Sequence, residues 1–283
     1  MGRESKVRRE REALLRRHRI TPLAHLRRDP ELFELHLEVL TILIRELDKG
    51  RGLAEILAAI GGRSRTFDAQ AARRPEEREF PDPEASTPER RVRLRLACEP
   101  GCAWCCHLRV TATAAEVLAL AAELRATLDA DALAGLRRRL DEHEARAGSI
   151  EPQLRIHTPL LCPLNVDGRC VAYAARPLGC RKFHSFSAAT CRGAVERGSF
   201  AAIRVPIDPR RYDSPDVYRQ SLNLVLAALG LGREELELVP ALRIALDAED
   251  LAAAWADGRL AAAHRPALIA ATHDDHARQT GVR

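Results

Sequence analysis

Apolar residues recur at helical spacing in the first sixty residues of the chain. Five of them follow one another at steps of four and three residues, which places them on one face of a helix. They are Phe33, Leu37, Leu40, Ile44 and Leu47. Asp29 followed by Pro30 predicts the beginning of this helix, and Gly50 and Gly52 predict its end.

Two further helices are predicted in the middle of the chain. Thr113 and Glu116 have the spacing of a capping box, so a helix is expected to begin at this point. Its apolar face consists of Val117, Leu120, Ala121 and Leu124. Asp131 is predicted to cap the next helix, which extends to about Ala147.

The last third of the chain also has helical signals. Ser214 and Pro215 predict the start of a helix that ends near Gly230. The segment 247–250 is predicted to cap another helix that ends near Gly258.

Only two short segments have strand or hairpin signals. Val92, Leu94 and Leu96 alternate with arginines, which predicts a short extended segment, and Asp167-Gly168 is a hairpin turn signal. The expected fold class is therefore mainly α, a helical protein around a loop-rich cysteine core with little strand.

Changes in periodicity divide the chain into four parts. Residues 1–60 are a basic N-terminal helical segment, and residues 61–90 are a linker with four prolines and no apolar periodicity. Residues 91–197 form the cysteine core, and residues 198–283 form a helical region that packs on this core.

Composition and charge place the protein among globular proteins and narrow its partners. Hydrophobic residues make up 46% and no apolar run approaches the roughly 18 residues of a membrane span, so no membrane partner is expected. The whole chain has a net charge of +5. Residues 1–28 alone carry +7, so the remaining residues carry −2. A solvated helical face explains this arm better than nucleic-acid binding does, since aromatic residues are only 4%. The charged N-terminus has no apolar signal region, and a cytoplasmic location is expected.

Eight cysteines carry the candidate chemistry. They form two clusters along the chain: Cys98, Cys102, Cys105 and Cys106, then Cys162, Cys170, Cys180 and Cys191. In a reducing compartment such dense cysteines predict metal binding rather than disulfides, and soft sulfur selects zinc, copper(I) or an iron–sulfur cluster. Disulfide bonds and buried unligated thiols are the alternatives.

The sequence leaves the pairing of these cysteines open. Cys105 and Cys106 are neighbours whose side chains diverge, which favours two metal sites or one polynuclear cluster over a single ion. In a regular hairpin, Cys170 would face Asn165 and Cys162 would lie on the opposite face unless Pro163 bends the strand.

Other polar residues near the cysteines could complete or surround a metal site. The histidines that could provide a further ligand are His107, His157 and His184. Four basic residues of the second cluster are expected to offset the negative charge of a thiolate site, with binding of an anionic substrate as the alternative. They are Arg169, Arg176, Arg181 and Lys182.

These motifs resemble those of a known family. The residues are Cys98-x3-Cys102-x2-Cys105-Cys106, Cys162-Pro163, Asp167-Gly168-Arg169-Cys170, Tyr173, Arg176-Pro177 and Cys180-Arg181-x-Phe183. Together they are similar to the CxxCxxCC cysteine-cluster family, which is named for zinc or iron chelation, over residues 98–191. The resemblance implies a bacterial metal-binding protein, and relatives of the domain occur in flagellin lysine N-methylases. Three residues separate Cys98 from Cys102, a departure from the family name, and Cys191 lies outside the core motif.

Three functional hypotheses follow. The first is a soft-metal protein that uses zinc or an iron–sulfur cluster in a structural or redox role, with a protein partner possible. The second is a protein-modifying enzyme, such as a lysine N-methylase, with a metal cluster near its site. The third is a nucleic-acid-binding regulator that uses the basic arm. No nucleophile–base set is recognisable, so the sequence leaves catalysis open.

Overall fold

The computed structural model describes residues 3–48, 77–81, 90–99, 101–155, 157–198, 205–231 and 235–248. Within these ranges the protein is mostly helical with short two-stranded sheets, which confirms the prediction of a mainly α fold with little strand. The α-helices are α1 (Arg3–Arg17), α2 (Pro30–Asp48), α3 (Ala114–Thr127), α4 (Ala130–Gly148), α5 (Pro152–Arg155), α6 (Leu178–Arg181), α7 (Ala188–Glu196), α8 (Pro209–Ala228) and α9 (Leu238–Asp247). Short 3-10 helices are Ala24–Arg28, Trp104–His107 and Tyr173–Ala175.

The described residues also contain three antiparallel strand pairs. The strands are β1 (Glu77–Pro81), β2 (Arg91–Arg95), β3 (Thr111–Thr113), β4 (Asn165–Val166), β5 (Arg169–Cys170) and β6 (Glu235–Glu237). The pairs are β1 with β2, β3 with β6, and β4 with β5. Strand β2 confirms the predicted extended segment, and its partner β1 lies within the range 61–90 that was predicted as a linker. The rest of that range, apart from Arg90, lies outside the described residues.

Local side-chain caps explain where the long helices begin. The carboxylate of Asp29 accepts the backbone N–H of Leu32 at 3.1 Å, and Thr113 and Glu116 form the predicted capping box at the start of α3. The prediction for α4 was wrong by two residues, because Asp129 provides the cap and accepts the N–H of Ala132 at 2.8 Å.

The start of α8 was also predicted incorrectly. The side chain of Asp208 caps this helix and Pro209 is its first residue, so Ser214 and Pro215 lie inside the helix. An Asp followed directly by Pro satisfies both preferences of a helix N-terminus, which outweighs the later Ser-Pro signal. Helix α8 ends at Ala228, close to the predicted Gly230. The helix predicted from 247–250 onward lies outside the described residues, apart from Asp247 and Ala248.

Buried apolar side chains from the N-terminal, middle and C-terminal helices form one cluster. Helix α2 packs on α8, and α9 packs on both α3 and α4. Side chains that are fully or almost fully buried include Leu40, Ile44, Leu120, Leu124, Leu136, Leu140, Leu226, Leu242 and Leu246. The face of α2 that is buried differs from the predicted stripe: Leu40 and Ile44 are buried, but Phe33 and Leu37 are partly exposed and the side chain of Leu47 is not described.

A buried histidine joins α2 to α8. His36 is fully buried, its Nδ1 lies 2.7 Å from the hydroxyl of Ser221, and its Nε2 accepts the backbone N–H of Leu23 at 3.1 Å. Because Ser221 donates its hydroxyl proton to the carbonyl of Val217, the proton of the His36–Ser221 hydrogen bond belongs to Nδ1. His36 is therefore a neutral imidazole with both nitrogens satisfied.

None of the described helices is both long and apolar enough to cross a membrane. Helix α1, which carries much of the positive charge, has mostly exposed side chains and buries Leu15.

Candidate functional site

The eight cysteines lie in short elements and loops beside the helical core. Cys98 follows β2, and Cys102, Cys105 and Cys106 surround the start of the 3-10 helix Trp104–His107. Of the others, Cys162 lies in a loop, Cys170 ends β5, Cys180 is on α6 and Cys191 is on α7. All eight are free thiols, and they line two adjoining cavities.

The larger cavity has a volume of about 530 Å³ and is lined by six of the cysteines, of which Cys106, Cys162, Cys170 and Cys180 line this cavity alone. The backbone brings two of them together, because the N–H of Cys162 donates to the carbonyl of Cys106 at 2.8 Å. Burial raises the pKa of Cys162 to about 12 and raises that of Cys170 and Cys180, and a charge on Cys106 raises all three further. The four thiols are therefore electrostatic neighbours.

The predicted hairpin turn positions part of this group. Asp167 and Gly168 have φ values of 51° and 79°, and Asn165 pairs with Cys170 as expected. The ladder is only two residues long, so Cys162 precedes it in a loop and strand alternation does not send it to the opposite face. The amide of Asn165 accepts the N–H of Gly168 at 3.1 Å and donates to the sulfur of Cys106 at 3.5 Å.

The smaller cavity has a volume of about 260 Å³ and is lined by the thiols of Cys98, Cys102, Cys105 and Cys191. Ser185 organises this side, because its backbone N–H donates to the sulfur of Cys98 at 3.2 Å and its side chain is hydrogen-bonded to Cys191. Burial raises the pKa of Cys98 and Cys191, and charge on Cys102 raises both further.

The vicinal cysteines lie between the two cavities. The thiol of Cys105 donates a hydrogen bond to the sulfur of Cys106, which lowers the pKa of Cys106 to about 6 and raises that of Cys105. Asn165 and the charge of Arg176 also lower the pKa of Cys106. Cys106 is thus the thiol of the pair that ionises first.

The histidines near the cysteines differ in what they can still bind. The Nε2 atom of His184 accepts the N–H of Asp208 at 2.8 Å and its Nδ1 lies 3.0 Å from the carbonyl of Lys182, so both ring nitrogens are occupied. His107 lines the larger cavity with Nδ1 at 3.3 Å from the carbonyl of Trp104. His157 is exposed and lines neither cavity.

The four basic residues around the second cluster make different contacts. Arg176 lies 3.8 Å over the ring of Tyr173 and faces the thiols of the larger cavity, and Arg169 also lines that cavity. Arg181 donates to the carbonyls of Arg176 and Ala174 at 2.8 and 2.7 Å, which fixes the loop before α6. Lys182 pairs with Asp216 of α8 at 2.9 Å and therefore ties the cysteine region to the helical core.

Among the described residues, no three or more Cys, His, Asp or Glu side chains form a finished group that could hold a metal ion. The chemistry of the donor set nevertheless suits a soft metal, because eight free and mostly half-buried thiols line two cavities. Metal binding at these residues therefore requires that sulfur atoms move together and lose their protons.

Gly179 and Ser185 support the site and were missed in the sequence, and Asn165 was predicted only as the partner of Cys170 in the hairpin. Gly179 lets α6 approach β3, because a Cβ at this position would lie 2.5 Å from the carbonyl oxygen of Thr111. Ser185 and Asn165 donate to cysteine sulfurs. Their proximity to cysteines in the sequence is a weak signal, since the contacts of Ser185 and Asn165 join segments that are 87 and 59 residues apart.

Comparison with known proteins finds no family model that matches this chain, and no curated protein or solved structure that is detectably similar. The resemblance to the cysteine-cluster family therefore remains a prediction that rests on the residues quoted above.

Proposed function

We propose that this protein binds a soft metal, as zinc or as an iron–sulfur cluster, through its eight cysteines, in a structural or redox role. The observation that carries the proposal is that thiols from four separate parts of the chain gather around two adjoining cavities. Thiols that served only as packing residues would be expected singly within an apolar core, whereas these are mostly half-buried and share the walls of two cavities.

The surrounding residues could provide metal-bound thiolates with both a compensating positive charge and hydrogen bonds to sulfur. Four thiolates around a divalent ion leave a net charge of about −2, and Arg176 lies where it offsets such a charge. N–H donors from Ser185 and Asn165 already point at two sulfurs, and donors of this kind tune the charge and potential of metal-bound thiolates.

A metal would supply cross-links to a region that consists of short elements and loops. Zinc would act there as a structural ion only, and an iron–sulfur cluster would add one-electron redox chemistry. Either centre requires thiolates, which is consistent with a reducing, cytoplasmic location.

Anaerobic purification followed by metal and acid-labile sulfide analysis tests this proposal. We expect metal in stoichiometric amounts, with sulfide only if the centre is an iron–sulfur cluster. A folded protein without metal whose cysteines are joined in disulfide bonds would refute it. Ala174→Ser provides a matched control, because it adds a hydroxyl to an exposed residue near the thiols without removing a sulfur.

The size of the larger cavity favours an enzyme as a second candidate function. Its volume of about 530 Å³ lies within the range of small-molecule sites, roughly 300–1,000 Å³. The wall beyond the thiols includes Arg109 and Arg155, both of which pair with the buried carboxylate of Glu237, at 3.1 and 2.7 Å. A protein-modifying enzyme such as a lysine N-methylase would use this cavity beside its metal.

Calorimetry with the metal-loaded protein tests the enzyme hypothesis. Binding of S-adenosylmethionine that is weakened by Glu237→Gln would support it, because this change removes the charge that holds both arginines. Absence of binding by the fully loaded protein would count against methyl transfer while leaving the metal proposal intact.

A further inference from the structure

We propose that the eight cysteines form two separate four-sulfur metal sites, and that the chain passes from one site to the other between Cys105 and Cys106. The first site consists of Cys106, Cys162, Cys170 and Cys180, and the second consists of Cys98, Cys102, Cys105 and Cys191. This inference rests on the proposed metal-binding function and adds the number of sites and the ligands of each.

The local backbone separates the vicinal cysteines. Cys105 and Cys106 lie in the 3-10 helix Trp104–His107, which has three residues per turn, so their side chains leave the helix about 120° apart. Cys106 lines only the larger of the two cavities, whereas Cys105 also lines the smaller. Cys105 therefore has access to a centre in the smaller cavity, and Cys106 does not.

The ligands of the first site come from four different elements that hydrogen bonds hold together. The loop before β4 is joined to the 3-10 helix by the Cys162–Cys106 backbone hydrogen bond and by the N–H of Leu160, which donates to the carbonyl of His107 at 3.2 Å. Asn165 connects the hairpin to the sulfur of Cys106, and pairs with Cys170. Cys180 comes from α6, which packs on β3.

The second site forms where β2, α7 and the 3-10 helix meet. Helix α7, which carries Cys191, packs on the 3-10 helix. The carbonyl of Ser185 accepts the N–H of Ala97 at 2.9 Å, and its own N–H donates to the sulfur of Cys98. These contacts bring both ends of the cysteine region to one cavity, in which Cys105 supplies the fourth thiol.

The two sites share a wall. Cys102, Cys105, Leu108 and Phe183 line both cavities. Two centres at these positions would be close neighbours that are joined by one peptide bond and have no common ligand.

Four single substitutions test the division between the sites in the full-length protein. Cys98→Ser and Cys105→Ser should deplete the second site, and Cys106→Ser and Cys170→Ser should deplete the first. We expect each variant to lose about half of the metal measured in the wild type. Alkylation with N-ethylmaleimide, mapped by mass spectrometry, should label the three remaining cysteines of the depleted site and leave the other four protected. The Ala174→Ser control should keep both sites.

Opposite labelling patterns for the two neighbours would be the decisive result. If Cys105→Ser and Cys106→Ser expose the same cysteines, or if every variant loses all metal while its circular dichroism remains helical, one polynuclear cluster replaces the two sites. A wild-type protein without metal would instead refute the proposed function, so the two failures are distinguishable.

A measurement on the wild type tests the division even if the variants fail to fold. During slow removal of metal by EDTA under anaerobic conditions, alkylation should begin in two groups of four cysteines with separate rates, in the sets named above. One common rate for all eight would overturn the division.

Discussion

The helical core and the cysteine region are held together by different means. Helices α2, α3, α4, α8 and α9 supply nearly all of the fully buried leucines and isoleucines. The elements between residues 101 and 185 that carry the cysteines are only two to four residues long, and most of their thiols are half-buried. The cysteine region contributes Leu164, Ala172 and Leu178 to the buried cluster but has little regular structure, so it has less than the helices to offset its conformational entropy, and a bound metal would add to its stability.

The largest expected difference between the two regions is the loss of amide protection when metal is removed. Because structural metal sites supply about 10–16 kcal/mol in small zinc domains, chelation under reducing conditions should lower amide protection in residues 101–108 and 160–185 by more than 100-fold. Protection in α3 and α8 should change only a few-fold. Hydrogen exchange with mass spectrometry measures both regions at once.

Equal loss of protection in α3 and α8 would contradict this comparison. It would mean that the Lys182–Asp216 ion pair and the contact of α6 with α8 couple the two regions into a single cooperative unit.

A cavity in the helical core should have the converse effect. Leu242 of α9 is fully buried where this helix packs on α3 and α4, so Leu242→Ala should lower the free energy of unfolding by about 2–5 kcal/mol. Metal content per folded chain should stay unchanged, since Leu242 lines neither cavity. Urea denaturation of the metal-loaded protein measures the loss.

The exposed Leu229 serves as the matched control for Leu242. Its side chain is 39% exposed, and Leu229→Ala should change stability by less than about 1 kcal/mol. A comparable loss in both variants would show that the apolar cluster does not dominate the stability of this region.

The two regions also differ in how far the sequence predicts them. Caps and apolar spacing locate α2, α3, α4, α8 and the strand β2, because these signals act over a few neighbouring residues. Their errors are local: Asp129 competes with Asp131, and Asp208-Pro209 competes with Ser214-Pro215.

The arrangement of the cysteines depends on contacts between residues that are far apart in the chain, and the spacing of the cysteines in the sequence does not predict these contacts. Cys98 reaches the second site through Ser185, 87 residues away, and Cys106 contacts Asn165, 59 residues away. The cysteine clusters along the chain therefore differ from the lining of the cavities, since Cys106 shares only the larger cavity with the later cysteines, Cys191 shares the smaller one with the earlier cysteines, and Cys102 and Cys105 line both. The Asp167-Gly168 turn and the pairing of Cys170 with Asn165 were predictable because a hairpin is local.

A decrease in pH should lower the stability of the protein through His36, which joins α2 to α8. Burial, with a smaller effect of His25, lowers the pKa of His36 from 6.5 to about 4. Between these values the unfolded chain is protonated at this residue and the folded protein is not, so stability falls as the pH decreases from about 6.5 to 4. The full effect is about 3 kcal/mol.

His36→Gln isolates this effect because glutamine does not titrate. The stability advantage of the wild type over this variant should shrink by about 3 kcal/mol between pH 7 and pH 4, measured by urea denaturation at each pH. Taking this difference removes the acid sensitivity of the thiolates, which both proteins share. A pH-independent difference for His36→Gln would contradict the assignment.

A smaller effect is expected where α6 meets β3, at the border between the two regions. A Cβ on Gly179 would lie 2.5 Å from the carbonyl oxygen of Thr111 and 3.0 Å from Val110 Cγ1, so Gly179→Ala must push α6 away from the strand. We expect a loss of about 1–3 kcal/mol and faster alkylation of the adjacent Cys180, because α6 carries this thiol. Gly135→Ala in α4 is the matched control: its nearest atoms are the ends of Arg138 and Arg139 at 3.6 and 3.5 Å, and alanine should stabilise the helix by about 0.5–1 kcal/mol. Equal effects of the two substitutions would mean that α6 moves freely, and the position of Cys180 would then depend on the metal rather than on the close approach of the backbone.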